Sequence, residues 1–114
     1  MKRGEIWWVE FDPAIGSEIR KTRPAVILSN DAANRNLARL VVVPLTSNTA
    51  QVCPGEALVS IAGVQSKAMA DQIMAADKKR LKSRLGVLSA ADMRALEDAV
   101  VLHLGMRISK GLAA

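Results

Sequence analysis

The 114-residue sequence holds one cysteine, one histidine and no tyrosine, and its only aromatics are Trp7, Trp8 and Phe11. A lone cysteine, Cys53, excludes an internal disulfide framework and a cysteine-rich zinc site. A cysteine nucleophile would need a histidine beside it, and His103 lies far off in the chain. His103 falls on or beside a helical apolar stripe, a pattern that suits a core or subunit-interface position better than catalysis. The acids are scattered with no metal-ligand spacing, so neither a metal nor another cofactor is expected. Apolar runs such as Leu40 to Leu45 fall far short of the roughly 18 residues that cross a bilayer. Glu5 and Glu10 break the apolar segment that a signal peptide would need after Met1-Lys2-Arg3. A cytoplasmic protein without membrane association is expected.

Acidic charge is in deficit. Sixteen Lys and Arg face eleven Asp and Glu, a formal net charge of +5, so the chain attracts polyanions such as nucleic acid or an acidic protein. Half the residues are apolar and 24% are charged, the balance of a folded chain. No repeat or linker divides it, and a single domain over residues 1–114 is expected.

Five short strands can be read. Glu5 to Phe11 carries all three aromatics and is apolar on both faces, Ile6 and Trp8 on one, Trp7, Val9 and Phe11 on the other. Two apolar faces need two things to pack against, such as the core and a second subunit. Pro24 to Ser29 tolerates its proline at the first position, while Pro44 within Arg39 to Thr46 argues for an edge or a bulge. Glu56 to Ile61 and Lys67 to Ala75 follow, with Gly63 near the turn between them. Asn30 to Asn36 has room for one helical turn. Without crossover helices, these strands suggest a mainly β (α+β) fold, a small curled barrel. Ser89 is a helix N-cap with Asp92 in the first turn, and Leu88 with Met93 forms a hydrophobic staple. Apolar residues then recur to Arg107 or Ile108, predicting an amphipathic C-terminal helix of about 20 residues.

Two basic clusters stand out. Lys78, Lys79, Arg80, Lys82 and Arg84 lie between barrel and helix, on a solvated face or a binding surface. Arg20, Lys21 and Arg23 close the first long loop, and Pro24 fixes the backbone behind Arg23. A rigidly mounted guanidinium suits bidentate phosphate recognition; bracing the loop against Glu18 or Asp12 is the alternative. Thr46, Ser47, Asn48 and Thr49 bring polar groups to a second loop mouth, able to donate to a phosphate or to cap a turn.

Several of these segments resemble one family. Arg3 to Pro13, Gly16-Ser17-Glu18, Arg23 to Leu28, Pro44-Leu45-Thr46-Ser47 and Asp71-Gln72-Ile73 are similar in order and spacing to the MazF/PemK/Kid toxins. Arg80-Leu81 and Leu85-Gly86 extend the similarity, which runs from Met1 to Gly105. The resemblance implies a five-stranded SH3-like barrel with a C-terminal helix, acting as a homodimer. It implies sequence-specific cleavage of single-stranded RNA, chiefly messenger RNA, and inhibition by a cognate acidic antitoxin. The family's catalytic arginine falls on Arg23 and its catalytic threonine on Thr46. Gly16, Ser17 and Glu18 match the segment that frames the active-site loop. One branch uses an aspartate base that matches Asp71, but carries an arginine where this chain has Met69; proton acceptance stays open between Asp71 and Glu18.

That chemistry needs no protein nucleophile, because the ribose supplies its own 2′-hydroxyl. Arg23 would neutralise charge on the non-bridging oxygens and Thr46 would donate to them. The proton donor is unassigned. The expected products carry a 2′,3′-cyclic phosphate and a 5′-hydroxyl. Substrate contacts are expected from Ser17, Arg20, Lys21, Ser47, Asn48, Lys78, Lys79 and Arg80. With every aromatic committed to the first strand, stacking platforms look scarce. The same fold also serves toxins that dock on DNA gyrase without chemistry, and the basic loops alone allow a simple single-stranded nucleic-acid module.

Overall fold

The structure, a computed structural model, describes residues 1–107. Seven strands form one antiparallel curled sheet: β1 (Glu5–Glu10), β2 (Thr22–Ile27), β3 (Arg39–Thr46), β4 (Glu56–Ile61), β5 (Val64–Met69), β6 (Met74–Asp77) and β7 (Leu81–Val87). The order is β4-β5-β3-β2-β1-β7, with β6 also on β3. Two helices complete the fold, α1 (Asp31–Asn36) and α2 (Ala90–Leu104). The mainly β class with a C-terminal helix holds, but the strands number seven rather than five. The apolar segment read as one strand from Lys67 to Ala75 is broken by a 3-10 turn at Ala70–Gln72, and the basic segment continues into β7.

That break follows from how β3 is shared. Its first half pairs β6, from Arg39↔Asp77 to Val42↔Met74, and its end pairs β5 at Leu45↔Ala68 and Thr46↔Lys67. On its other edge it pairs β2, Ala25 opposing Pro44. Pro44 is fully buried and is neither at a sheet edge nor in a bulge. Val41 directs both backbone groups toward β2, its carbonyl accepting from Leu28 N at 2.9 Å and its N–H donating to Ser29 Oγ at 3.0 Å. By alternation the nitrogen of Pro44 faces the opposite edge, in the gap between β6 and β5, where no ladder asks for a donor.

The sheet buries both faces within the chain. Ile6, Val26, Val43, Leu45 and Val59 join Leu96 and Val100 of α2 in one core, and Val9, Phe11, Ile27, Leu40, Val42 and Leu81 form the second. Both faces of β1 therefore meet a core within the chain, through Ile6 on one and Val9 on the other, although Trp8 is left 37% exposed. Ser89 caps α2, accepting from Asp92 N at 3.1 Å, while the Asp92 carboxylate accepts from Ser60 N on β4 at 2.9 Å. The helix is 15 residues long, shorter than expected, because Gly105 takes the left-handed conformation (φ 64°) and its N–H and that of Met106 cap the last turn. Arg107 lies beyond it and Ile108 lies outside the described residues. His103 is exposed, not in the core, and packs over Gly55. Among the described residues no helix is long and apolar enough to cross a membrane.

Candidate active site

Residues 12–21, between β1 and β2, and residues 47–55, between β3 and β4, form the two polar loops of the barrel. Arg23 stands at the start of β2 opposite Val9, and Thr46 is the last residue of β3, opposite Lys67. Both line one open hollow of about 450 Å³, with Trp8, Lys21, Thr22, Pro24, Leu45, Ser47 and Ser66. No carboxylate lines it. The charged side chains that line it, Lys21 and Arg23, are both cations, the sign that attracts an anion.

The two leading side chains are oriented by backbone groups. Arg23 is half-buried and its Nε donates to the Arg20 carbonyl at 3.2 Å. Among the described residues it makes no ion pair, so the bracing role against Glu18 or Asp12 is not adopted. One guanidinium nitrogen is spent on positioning and the other two remain for a ligand. The Thr46 Oγ1 accepts from Asn48 N at 3.2 Å, which leaves its own proton to donate outward. The threonine thus both closes its turn and presents a donor. Lys21, two residues before Arg23, holds φ at 67°, a left-handed conformation that costs a non-glycine residue about 1–2 kcal/mol. Strain of this kind persists where surrounding contacts fix it, here the Lys21 carbonyl accepting from Phe11 N at 2.8 Å.

The second loop is tied down from below. Lys67 pairs with Glu56 at 3.1 Å and donates to the Gln51 carbonyl at 3.0 Å, while Glu56 accepts from Cys53 N at 2.7 Å. The Cys53 N–H bond lowers the Glu56 pKa most, burial opposes it, and Lys67 adds to the lowering. Asn48 accepts from Ala50 N at 3.3 Å, so its side chain shapes the loop.

Asp71 and Glu18 do not join Arg23 and Thr46. They line a second hollow of about 280 Å³ with Phe11, Pro13, Ile19, Gln72 and Arg80. The 12–21 loop lends residues to both. Gln72 fastens that loop, accepting from Ile19 N at 3.2 Å and donating to the Ser17 carbonyl at 3.5 Å. Glu18 accepts from Ile15 N at 2.7 Å, and Arg20 donates to the Gly16 carbonyl at 2.8 Å. Arg80 donates to the carbonyls of Glu10 and Asp12, both at 2.9 Å, and so pins the end of β1 as well as facing the hollow. Lys82 and Arg84 pair with Glu10 and Glu5 at 3.4 and 3.1 Å. Ser17, Arg20, Asn48, Lys78 and Lys79 line neither hollow.

Sequence reasoning missed Trp8, Ser66 and Gln72. Gln72 was legible only as a neighbour of Asp71, and Ser66 carried no signal. Trp8 was assigned to the core with the other aromatics, yet it is 37% exposed and forms part of the first hollow.

Comparison with known proteins bears on this geometry. Residues 2–104 match the family described as PemK-like, MazF-like toxin of type II toxin-antitoxin system. Endoribonuclease MazF9 of Mycobacterium tuberculosis is 45% identical over 115 residues, covering 93% of this chain and 98% of the relative. The crystal structure of MazF from Deinococcus radiodurans superposes with a TM-score of 0.83 at 27% identity, over 93% of this chain and 97% of that one. An endoribonuclease in complex with its cognate antitoxin, from a mycobacterial species, gives a TM-score of 0.80 at 25% identity, over 96% and 99%.

Proposed function

The chain belongs to the PemK-like, MazF-like family of type II toxin–antitoxin toxins, and on that premise we propose that it cuts single-stranded RNA, chiefly messenger RNA, in the hollow shared by Arg23 and Thr46. The observation that carries this is the convergence of a guanidinium and a hydroxyl, distant in sequence, on one cavity without a carboxylate. The 2′-hydroxyl loses its proton as it attacks the adjacent phosphorus, and the bond to the 5′-oxygen breaks as that oxygen takes a proton from water. The products are a 2′,3′-cyclic phosphate and a 5′-hydroxyl, with no metal required. Arg23 meets the charge that grows on the non-bridging oxygens, and the free proton of Thr46 adds a second donor. Each such donor is worth about 3 kcal/mol in a preorganised site.

Proton acceptance falls to Asp71 or Glu18. Because both line the neighbouring hollow, either would receive the 2′ proton through water, and Glu18 also after a shift of the 12–21 loop that carries it. Lys21 and Ser47 hold flanking phosphates, with Ser17, Arg20, Asn48, Lys78, Lys79 and Arg80 as outer contacts. Residues 1–114 act as a single toxin domain, as a homodimer in the cytoplasm. A cognate antitoxin lays an acidic segment over the basic loops and covers the hollow.

Incubation with a long RNA in EDTA, followed by end mapping, tests this. Discrete cuts with cyclic phosphate ends are expected. RNA that stays intact, whether bound or free, would overturn the enzymatic reading in favour of a binding or docking protein.

A further inference from the structure

Trp8 occupies a position that core packing does not explain. It shares a face of β1 with Ile6, which is 0% exposed in the core that includes Leu96 and Val100 of α2, yet Trp8 is outside that core and is 37% exposed. Irregularities in the β1–β7 register fall on both sides of Trp7-Trp8, and Trp8 directly opposes Pro24 of β2. Its neighbour Trp7 is half-buried and donates its indole N–H to Glu5 at 3.0 Å. The Trp8 indole makes no hydrogen bond within the described residues. It is the only aromatic lining the hollow that also holds Arg23, Lys21 and Thr46.

An exposed aromatic face set beside cations and hydroxyls is the combination by which single-stranded nucleic acid is held, bases stacking while phosphates meet charge. We propose that Trp8 is the stacking platform for a nucleobase adjacent to the scissile phosphate. The proposal rests on the RNA-cleaving reading above. Every base presents a π-face, so Trp8 supplies affinity and orientation for any base, and base identity is read elsewhere. The strand backbone and Pro24 fix the platform before RNA arrives, which lowers the ordering cost on binding.

The test uses the full chain and a 2′-O-methyl RNA of about eight nucleotides, within the span single-stranded sites cover. Its sequence copies the strongest cut mapped on a long phage RNA; methylation removes the nucleophile. Binding should quench tryptophan fluorescence in the wild type. Trp8→Leu, which keeps bulk without a π-face, should weaken binding about tenfold or more. It should raise KM for the cleavable RNA at least as much while lowering kcat less. Trp8→Phe should retain most of the affinity. Thermal melts confirm that each variant is folded. Trp8→Leu binding within twofold of wild type, or Trp8→Phe losing as much as Trp8→Leu, overturns the stacking role, and does so even if antitoxin binding falls. Wild-type protein that neither binds nor cuts RNA overturns the functional reading itself; wild type and Trp8→Leu cutting alike overturns the platform alone.

Discussion

Replacing Arg23 separates what this residue does for the fold from the role proposed for it at the phosphate. Within the described residues the only polar contact of its side chain is the 3.2 Å bond from Nε to the Arg20 carbonyl, and it has no carboxylate partner. Arg23→Ala therefore removes one hydrogen bond at a half-buried site, about 0.5–1.5 kcal/mol of stability. That corresponds to a few degrees in Tm. Cleavage should fall far more, about 10²- to 10³-fold in kcat, because the lost donor acts on charge present only in the transition state. Arg23→Lys keeps the charge but loses both the forked donor and the tie to Arg20, so it should recover only part, leaving a deficit of about tenfold. Urea titration and single-turnover cleavage of one defined RNA give the two readouts. Arg23→Ala cutting within about threefold of wild type, with the fold intact, would refute the assignment. A loss of activity matched by a loss of folded protein would place Arg23 in the scaffold instead.

Two further outcomes are expected. In the β4–β5 turn Ala62 and Gly63 both have positive φ, 49° and 81°, the pattern that favours Asn-Gly; Ala62→Asn should stabilise the protein by about 0.5–1 kcal/mol in urea without changing cleavage, and no gain would show the turn is not strained. The Glu56 pKa is lowered in the folded state, so the unfolded chain binds this proton more tightly and stability should decline as pH falls below the ordinary carboxylate range through the folded value. Glu56→Gln should flatten that decline in urea midpoints taken between about pH 6 and pH 3; an unchanged slope would dismiss the linkage.

Much of this architecture was written in residue order. β1, β2, β3 and β4 announced themselves by short runs rich in apolar, β-branched and aromatic residues, and Ser89 with Leu88 and Met93 marked the entry to α2. The proline expected at the first position of its strand is instead the third residue of β2, because Thr22 and Arg23 already pair with β1. Elements set by tertiary partners were not. Between Lys67 and Ala75 neither Gly nor Pro marks a turn, and Asp71-Gln72 is a weak signal of one; the break becomes plain only where β3 changes partner. Apolar spacing continued past Gly105 and drew the helix too long, although a glycine that can adopt positive φ was the stronger stop signal. Arg23 and Thr46 stood out as phosphate-binding candidates from their loop positions, their catalytic roles came from family resemblance, and only folding shows that they share a cavity. Asp71 and Glu18 could be ranked as acids but not located, because their hollow is assembled by the Gln72 contact across the chain. The exposure of Trp8 beside a fully buried Ile6 on the same strand face is a matter of tertiary packing that no local pattern encodes.

Pro44 makes β3 a branching beam. Its missing donor lets β6 leave and β5 arrive on one rim without abandoning a backbone group. Each limb then carries its own hollow, Ser66 and Thr46 beside one, Met74 and the Asp71 turn beside the other. A residue with an N–H at this fork would demand a partner and draw the limbs together. The hollow that holds Arg23 and Thr46 and the hollow that holds the acids thus lie on either side of a position where the chain lacks a backbone donor.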